Sequence, residues 1–175
     1  PAGTDDPLTV ALSVPSEDAD GDAISYRYSW TVDGVPSGLG GSMVDPALTE
    51  RGQLWRVNVT PTDGTDDGPT AEAEVLIANT PPTLLAASLT PDPASAADVL
   101  SCTPGFSEDA DGDAISFRYA WELDGVRTAD FVSVLAAPAA GTSVTCLVTP
   151  DDGTDLGDEV RSGTVVIEDS APRVT

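Results

Sequence analysis

The stretch SEDADGDAISYRYSWTVDGV, Ser16 to Val35, returns almost unchanged as SEDADGDAISFRYAWELDGV, Ser107 to Val126. Its second half alternates. Ile24, Tyr26, Tyr28, Trp30 and Val32 face one way, with Ser25, Arg27, Ser29 and Thr31 between them. The copy sets Ile115, Phe117, Tyr119, Trp121 and Leu123 against Ser116, Arg118, Ala120 and Glu122. A strict period of two marks a half-buried strand. Each strand ends in Asp-Gly, at Asp33-Gly34 and Asp124-Gly125, a pair that tolerates positive φ and so forms a tight hairpin. The chain is therefore a tandem repeat of β-units, and both copies carry the same acidic loop just before the strand.

Two further matches set the period. VTPTDGTDDG, Val59 to Gly68, answers VTPDDGTDLG, Val148 to Gly157. IANTPP, Ile77 to Pro82, answers IEDSAP, Ile167 to Pro172. The spacing of about ninety residues is the size of one small β-sandwich. Residues 1–80 read as the first repeat and residues 81–175 as the second, with 170–175 opening a following one. The linker Asn79-Thr80-Pro81-Pro82 is short and stiffened by its prolines. Ala11 aligns with Cys102, so the segment Thr83 to Ser95 has almost no counterpart in the first copy. The first repeat is expected to lack its first strand. Another segment is expected to cover that edge, because an unpaired sheet edge invites pairing.

The 175 residues carry 30 Asp and Glu, no His, and a net charge of -23; all seven basic residues are Arg. A surface this acidic does not suit nucleic acid or an anionic bilayer. It suits divalent cations, or solubility in high salt. No run of eighteen apolar residues exists, so no membrane-inserted segment is expected. The absence of a signal peptide and of an initiator Met suggests a mature or excised fragment.

Further strands follow the same alternation. Trp55, Val57 and Val59 point inward with Arg56 and Asn58 outward, and Val144, Cys146 and Val148 form the copy. Ala71, Ala73, Val75 and Ile77 are expected inward, with Glu72 and Glu74 outward. Pro46 to Gly52 is at most a short turn. Cys102, Trp121 and Cys146 stand in the order of an immunoglobulin-like sandwich: cysteine, strand tryptophan, cysteine. That order favours a disulfide between the sheets and an oxidising, extracellular setting. Two buried free thiols are the plainer reading. The first repeat has Ala11 and Val57 at these places, so a bridge is optional to the fold. The aromatics share the inward face with Ile and Val, and so read as core rather than as a sugar platform.

The loops Asp18-Ala19-Asp20-Gly21-Asp22 and Asp109-Ala110-Asp111-Gly112-Asp113 place hard oxygen ligands at alternate positions around a glycine, as Ca²⁺ requires. Neither is an EF-hand: Ala23 and Ala114 follow the third Asp, and Ser29 or Ala120 stands where a bidentate Glu would be. The loop alone offers three carboxylates, short of the six to eight oxygens Ca²⁺ prefers. In an immunoglobulin-like sandwich the loop between the last two strands lies at the same end. Asp63 and Asp66 in the first repeat, and Asp152 and Asp155 in the second, would supply more, with Asn79 in reserve. Solvated Asx turns are the plainer alternative. A glycosidase pair is disfavoured, since the acids recur on loops in both repeats with no apolar pocket.

With these residues in view, the chain resembles the tandem immunoglobulin-like repeats of large bacterial surface and secreted proteins. Their pattern is similar to PKD and bacterial cadherin-like domains, with a D-x-D-G-D loop ahead of a Tyr-x-Trp strand. The resemblance covers nearly the whole chain. It implies an all-β fold of two tandem sandwiches in an elongated array, and loop aspartates Asp18, Asp20, Asp22, Asp109, Asp111 and Asp113 as calcium ligands. It also implies a structural role, as a filament, fibre or surface stalk stiffened by Ca²⁺, with neighbouring repeats or copies as partners and no enzymatic activity. An adhesin or carbohydrate-binding module with a glycan or surface ligand is the alternative. Pro36 to Glu50 against Arg127 to Ala140 is where the repeats differ most and where such a ligand would be sought.

Overall fold

The computed structural model of the protein describes residues 1–128 and 131–169. The expected opening of a third repeat, Ser170 to Thr175, lies outside the described residues, as do two residues of the variable segment after Arg127. The chain divides into two compact units, Pro1–Thr80 and Pro81–Thr175. The described residues are all-β apart from one 3₁₀ turn, Pro46–Leu48, capped by the side chain of Asp45.

The first unit contains β1 (Leu8–Thr9), β2 (Ser25–Val32), β3 (Val35–Pro36), β4 (Met43–Val44), β5 (Leu54–Thr62) and β6 (Ala71–Leu76). β1 and β4 form one small sheet, and the other runs β3-β2-β5-β6. Val32 and Val35 close the β2–β3 hairpin around Asp33-Gly34, both at positive φ, 50° and 80°. That is the twist a two-residue hairpin needs, and Asp-Gly reaches it with little strain. The Asp33 carboxylate also accepts from Leu54 N at 2.9 Å, tying the turn to the start of β5. Leu8 and Val44 from one sheet meet Trp30, Trp55, Val57 and Val59 from the other in a single buried cluster. The unit is thus a sandwich of two sheets over one apolar layer.

The second unit contains β7 (Thr83–Leu84), β8 (Ala87–Thr90), β9 (Ala94–Ser95), β10 (Val99–Pro104) and β11 (Ser107–Glu108), followed by β12 (Ser116–Leu123), β13 (Val126–Arg127) and β14 (Val134–Ala136). β15 (Ser143–Asp151), β16 (Val160–Arg161) and β17 (Val165–Glu168) complete it. One sheet is β14-β10-β8, and the larger runs β13-β12-β15-β17-β9 with β16 also on β15. Leu89, Leu100 and Cys102 pack against Trp121, Val144, Cys146, Val148 and Val165. Cys102 and Cys146 are bonded, with Cα atoms 6.0 Å apart, so the bridge joins the two sheets through the core beside Trp121. This is the immunoglobulin-like arrangement of strand cysteines and tryptophan.

Comparison of the units corrects the sequence reading in three places. First, Val10, not Ala11, stands where Cys102 does. Val10 N donates to Ser42 O as Cys102 N donates to Ser133 O, and Ala11 is exposed. The physical reason is an extra residue between this strand and the acidic loop: Val10 to Ser16 is one longer than Cys102 to Ser107. The correspondence continues backwards. Asp6 accepts from Gly3 N as Asp98 accepts from Ser95 N. Ala2 bridges Ile77 in parallel as Ala94 pairs with Ile167. The first unit therefore keeps a counterpart of β9, whereas β7 and β8 have none among its described residues.

Second, Ala71 and Ala73 are exposed, although their alternation is that of a core face. Only the lower end of β6, Val75, and Ile77 just after it reach the packed layer. Third, Ala120, on the outward face of β12, is buried at 2 % exposure, as is its cross-strand partner Leu147 at 1 %. Arg161 on β16 pairs with Glu122 on β12, with β15 between them. Its stem must cross β15 to do so, which shields the apolar pair beneath.

The bridge closes a separation of 44 residues. The chain-entropy account gives such a cross-link about 4 kcal/mol. The double variant Cys102→Ala/Cys146→Ala is expected to lose that much from the second unit and nothing from the first. Urea unfolding followed by NMR of the Trp121 and Trp30 indoles separates the two. A loss spread equally over both units, or absent from both, would contradict the assignment.

Candidate functional site

The acidic loops are built by their own first aspartates. Asp18 Oδ1 accepts from Asp20 N at 2.8 Å and Asp22 N at 3.0 Å. Asp109 Oδ1 accepts from Asp111 N at 2.9 Å and Asp113 N at 3.1 Å. These are Asx turns, in which a short carboxylate replaces a backbone acceptor. The second loops repeat the device. Asp63 Oδ1 accepts from Thr65 N and Asp66 N at 2.7 and 2.8 Å, and Asp152 Oδ1 from Thr154 N and Asp155 N at 2.6 and 2.7 Å. One oxygen of each leading aspartate is therefore committed to holding its loop.

In the first unit the two loops meet. Asp18, Asp63, Asp66 and Asp67 line one open cavity of about 410 Å³ with Glu17. Asp20 and Asp22 do not line it. Arg27, outward on β2, pairs with Asp67 at its rim. Ser16 N donates to Tyr26 Oη at 2.9 Å, which fixes the entry of the loop and lowers the Tyr26 pKa.

In the second unit, Arg118 holds Asp151 through Nε at 2.7 Å and Nη2 at 2.6 Å. Asp109 Oδ2 is buried without a hydrogen-bond partner. A carboxylate oxygen in that condition calls for an explanation, because desolvating it uncompensated is costly. Among the described residues, no three His, Cys, Asp or Glu side chains gather closely enough to form a ready-made metal cage. Asn79, expected in reserve as a ligand, accepts from Arg51 within the first unit.

The residues that sequence reasoning did not assign to the site include Glu17, Arg27, Arg118 and Asp151. The signal was present: an outward arginine recurs one turn of the pleat after each acidic loop, in Tyr26-Arg27-Tyr28 and Phe117-Arg118-Tyr119. Each provides one fixed cation to an otherwise anionic end.

The hydrogen bonds shift the acids. Backbone N–H donors of Asp66 and Thr65 hold the Asp63 pKa below the usual carboxylate value. Gly153 N–H and then Arg118 do the same for Asp151. A depressed folded-state pKa stabilises the fold above the unfolded value and loses that contribution as pH falls through the folded one.

No protein-family model matches the chain, and no curated protein matches it. Among solved structures, the N-terminal four immunoglobulin domains of Dscam1 isoform 4.44 are similar at a TM-score of 0.35 and 13% identity, over 84% of this chain. The chain spans 38% of the length of that one. No helix among the described residues is long and apolar enough to cross a membrane.

Acid titration tests the loop electrostatics. Asp63→Ala is expected to flatten the acid limb of the first unit's stability and leave the second unit unchanged. Asp151→Ala is expected to do the reverse. Carboxyl-carbon NMR should show both side chains still ionised below the ordinary carboxylate range. Ordinary titration at both would refute the assigned bonds.

Proposed function

We infer that this chain is a structural segment of an extracellular fibre or surface stalk whose acidic loops take up Ca²⁺. The observation that carries the reading is Asp109 Oδ2, a carboxylate oxygen buried without a partner inside the repeated acidic loop. A hard divalent cation satisfies such an oxygen. In the first unit, Asp18, Asp63 and Asp66 share a cavity roomy enough for a hydrated ion. The residues fit Ca²⁺ in kind, being carboxylates throughout. They do not fit Zn²⁺, since the chain has no His and its cysteines are bonded to each other. They are fewer than a full shell, so water would complete it.

The structural role rests on repetition. Both copies keep the same sandwich framework and the same loop. The disulfide supports an oxidising location.

Thermal unfolding in millimolar CaCl₂ against EDTA, at fixed ionic strength, tests the calcium reading. A folded-state ligand at a hundredfold excess over its Kd adds about 2.7 kcal/mol. The expected result is a rise in the melting temperature of the second unit that Asp109→Asn removes and that Mg²⁺ reproduces poorly. An equal rise in matched NaCl would mean general screening of a net charge of -23, and the calcium reading would fall.

A further inference from the structure

An exposed sheet face in a strongly charged protein ordinarily carries charge, which keeps it in water and keeps copies apart. In the first unit Arg27, Arg56, Glu72 and Glu74 stand on the outward face of β2, β5 and β6. In the second, Arg118, Glu122 and Arg161 stand on the outward face of β12 and β16. The outward face of β14-β10-β8 carries no charged residue. Ser101 lies there between Val134 and Thr90. Val99 beside Ala136 and Thr103 beside Ser88 form the rows on either side of it. Leu89, Leu100 and Cys102, between these positions, point the other way into the core.

The face is open as well as neutral. Val99 is 62 % exposed and Val134 49 %. Cys102 N donates to Ser133 O, which carries the pairing one row further and brings Val132, also exposed, beside Thr103. The side chains are short or β-branched, so the face is flat, with methyl groups towards β14 and hydroxyls towards β8. Three strands about 4.8 Å apart, with about 3.4 Å per residue along β10, give it about 300 Å².

We propose that this face is a contact between copies of the chain, the outward face of β14-β10-β8 in one molecule packing on the same face of another. Charge selects the occupant. A basic partner would be drawn to the acidic surfaces and would gain nothing from a face without charge. A partner of like charge needs such a face, and a second copy, at a net charge of -23, is such a partner. Interface centres are depleted of charged residues, as this face is. A two-fold axis lets one patch serve both molecules. Its area is well below the roughly 800 Å² per partner of a stable complex, so a single contact is weak. Repeated between neighbouring arrays, weak contacts multiply into a lateral hold. The inference adds a partner to the fibre reading and stands apart from calcium, since no aspartate of the acidic loops lies on this face.

The test is sedimentation equilibrium of the intact chain in EDTA, up to millimolar concentration and across a series of NaCl concentrations. The expected result is a reversible dimer with a Kd on the order of 1 mM. It tightens as NaCl rises, because salt screens the repulsion between copies. Val134→Asp and Thr90→Asp are each expected to weaken it about tenfold or more, with the melting temperature unchanged. Ser29→Asp adds the same charge on the outward face of β2 and is expected to leave the dimer intact. A chain that stays monomeric at millimolar concentration in high salt overturns the proposal. So does a dimer that survives both Asp variants, or one that Ser29→Asp weakens equally. A dimer that forms in CaCl₂ and not in EDTA would assign association to the acidic loops, and would also overturn it.

Discussion

Each unit depends on one buried indole. Trp30 Nε1 donates to Gly41 O and Trp121 Nε1 to Val132 O, both at 2.8 Å. A polar N–H left unpaired in such a core would cost about 1–3 kcal/mol. The bond therefore fixes the segment that leads into β4 or β14, and so fixes the opposite sheet. The same tryptophan sits across from the centre of the long strand, Trp30 opposite Val57 and Trp121 opposite Cys146. It sets the spacing of the sheets, and the other core residues adapt to it. The second unit secures that spacing with the Cys102–Cys146 bridge. The first has Val10 and Val57 there and gains bulk instead from Trp55, edge-on to Trp30 with centroids 6.2 Å apart. Trp55 pairs with Val32 as Val144 pairs with Leu123, so a tryptophan in one copy answers a valine in the other.

What the sequence made legible was whatever a local pattern decides. Alternation from Tyr26 to Val32 and from Trp55 to Val59 is enough to assign a strand and its inward face, because pleating leaves no other choice. Asp33-Gly34 is enough to assign the hairpin, because few other pairs adopt two positive φ values. What was not legible depends on neighbours remote in the chain. Ala71 and Ala73 alternate like core residues, yet both are exposed, because the packed layer reaches only Val75 and Ile77 on that side. Ala120 alternates outward and is nevertheless buried, because a long arginine from β16 crosses the outer face. The displacement of Val10 from Ala11 is a matter of one added residue in a loop. Pairing across the sheet reveals it, and sequence similarity does not.

The acidic loops were legible as loops and less so as a site. Oxygens at alternate positions serve a turn and a cation equally well, and in each leading aspartate one oxygen is already given to the turn. Charge balance narrows the matter. Every described arginine is engaged: Arg27 with Asp67, Arg56 with Glu72 and Glu74, Arg118 with Asp151, Arg127 with Glu159, Arg161 with Glu122, and Arg51 with Asn79. Such exposed pairs each contribute little to stability. They do use up the positive charge, and Asp18, Asp63 and Asp66 line one cavity whose lining residues include no arginine. Arg27, paired with Asp67 at the rim, offsets part of that charge, and dissolved salt screens the rest.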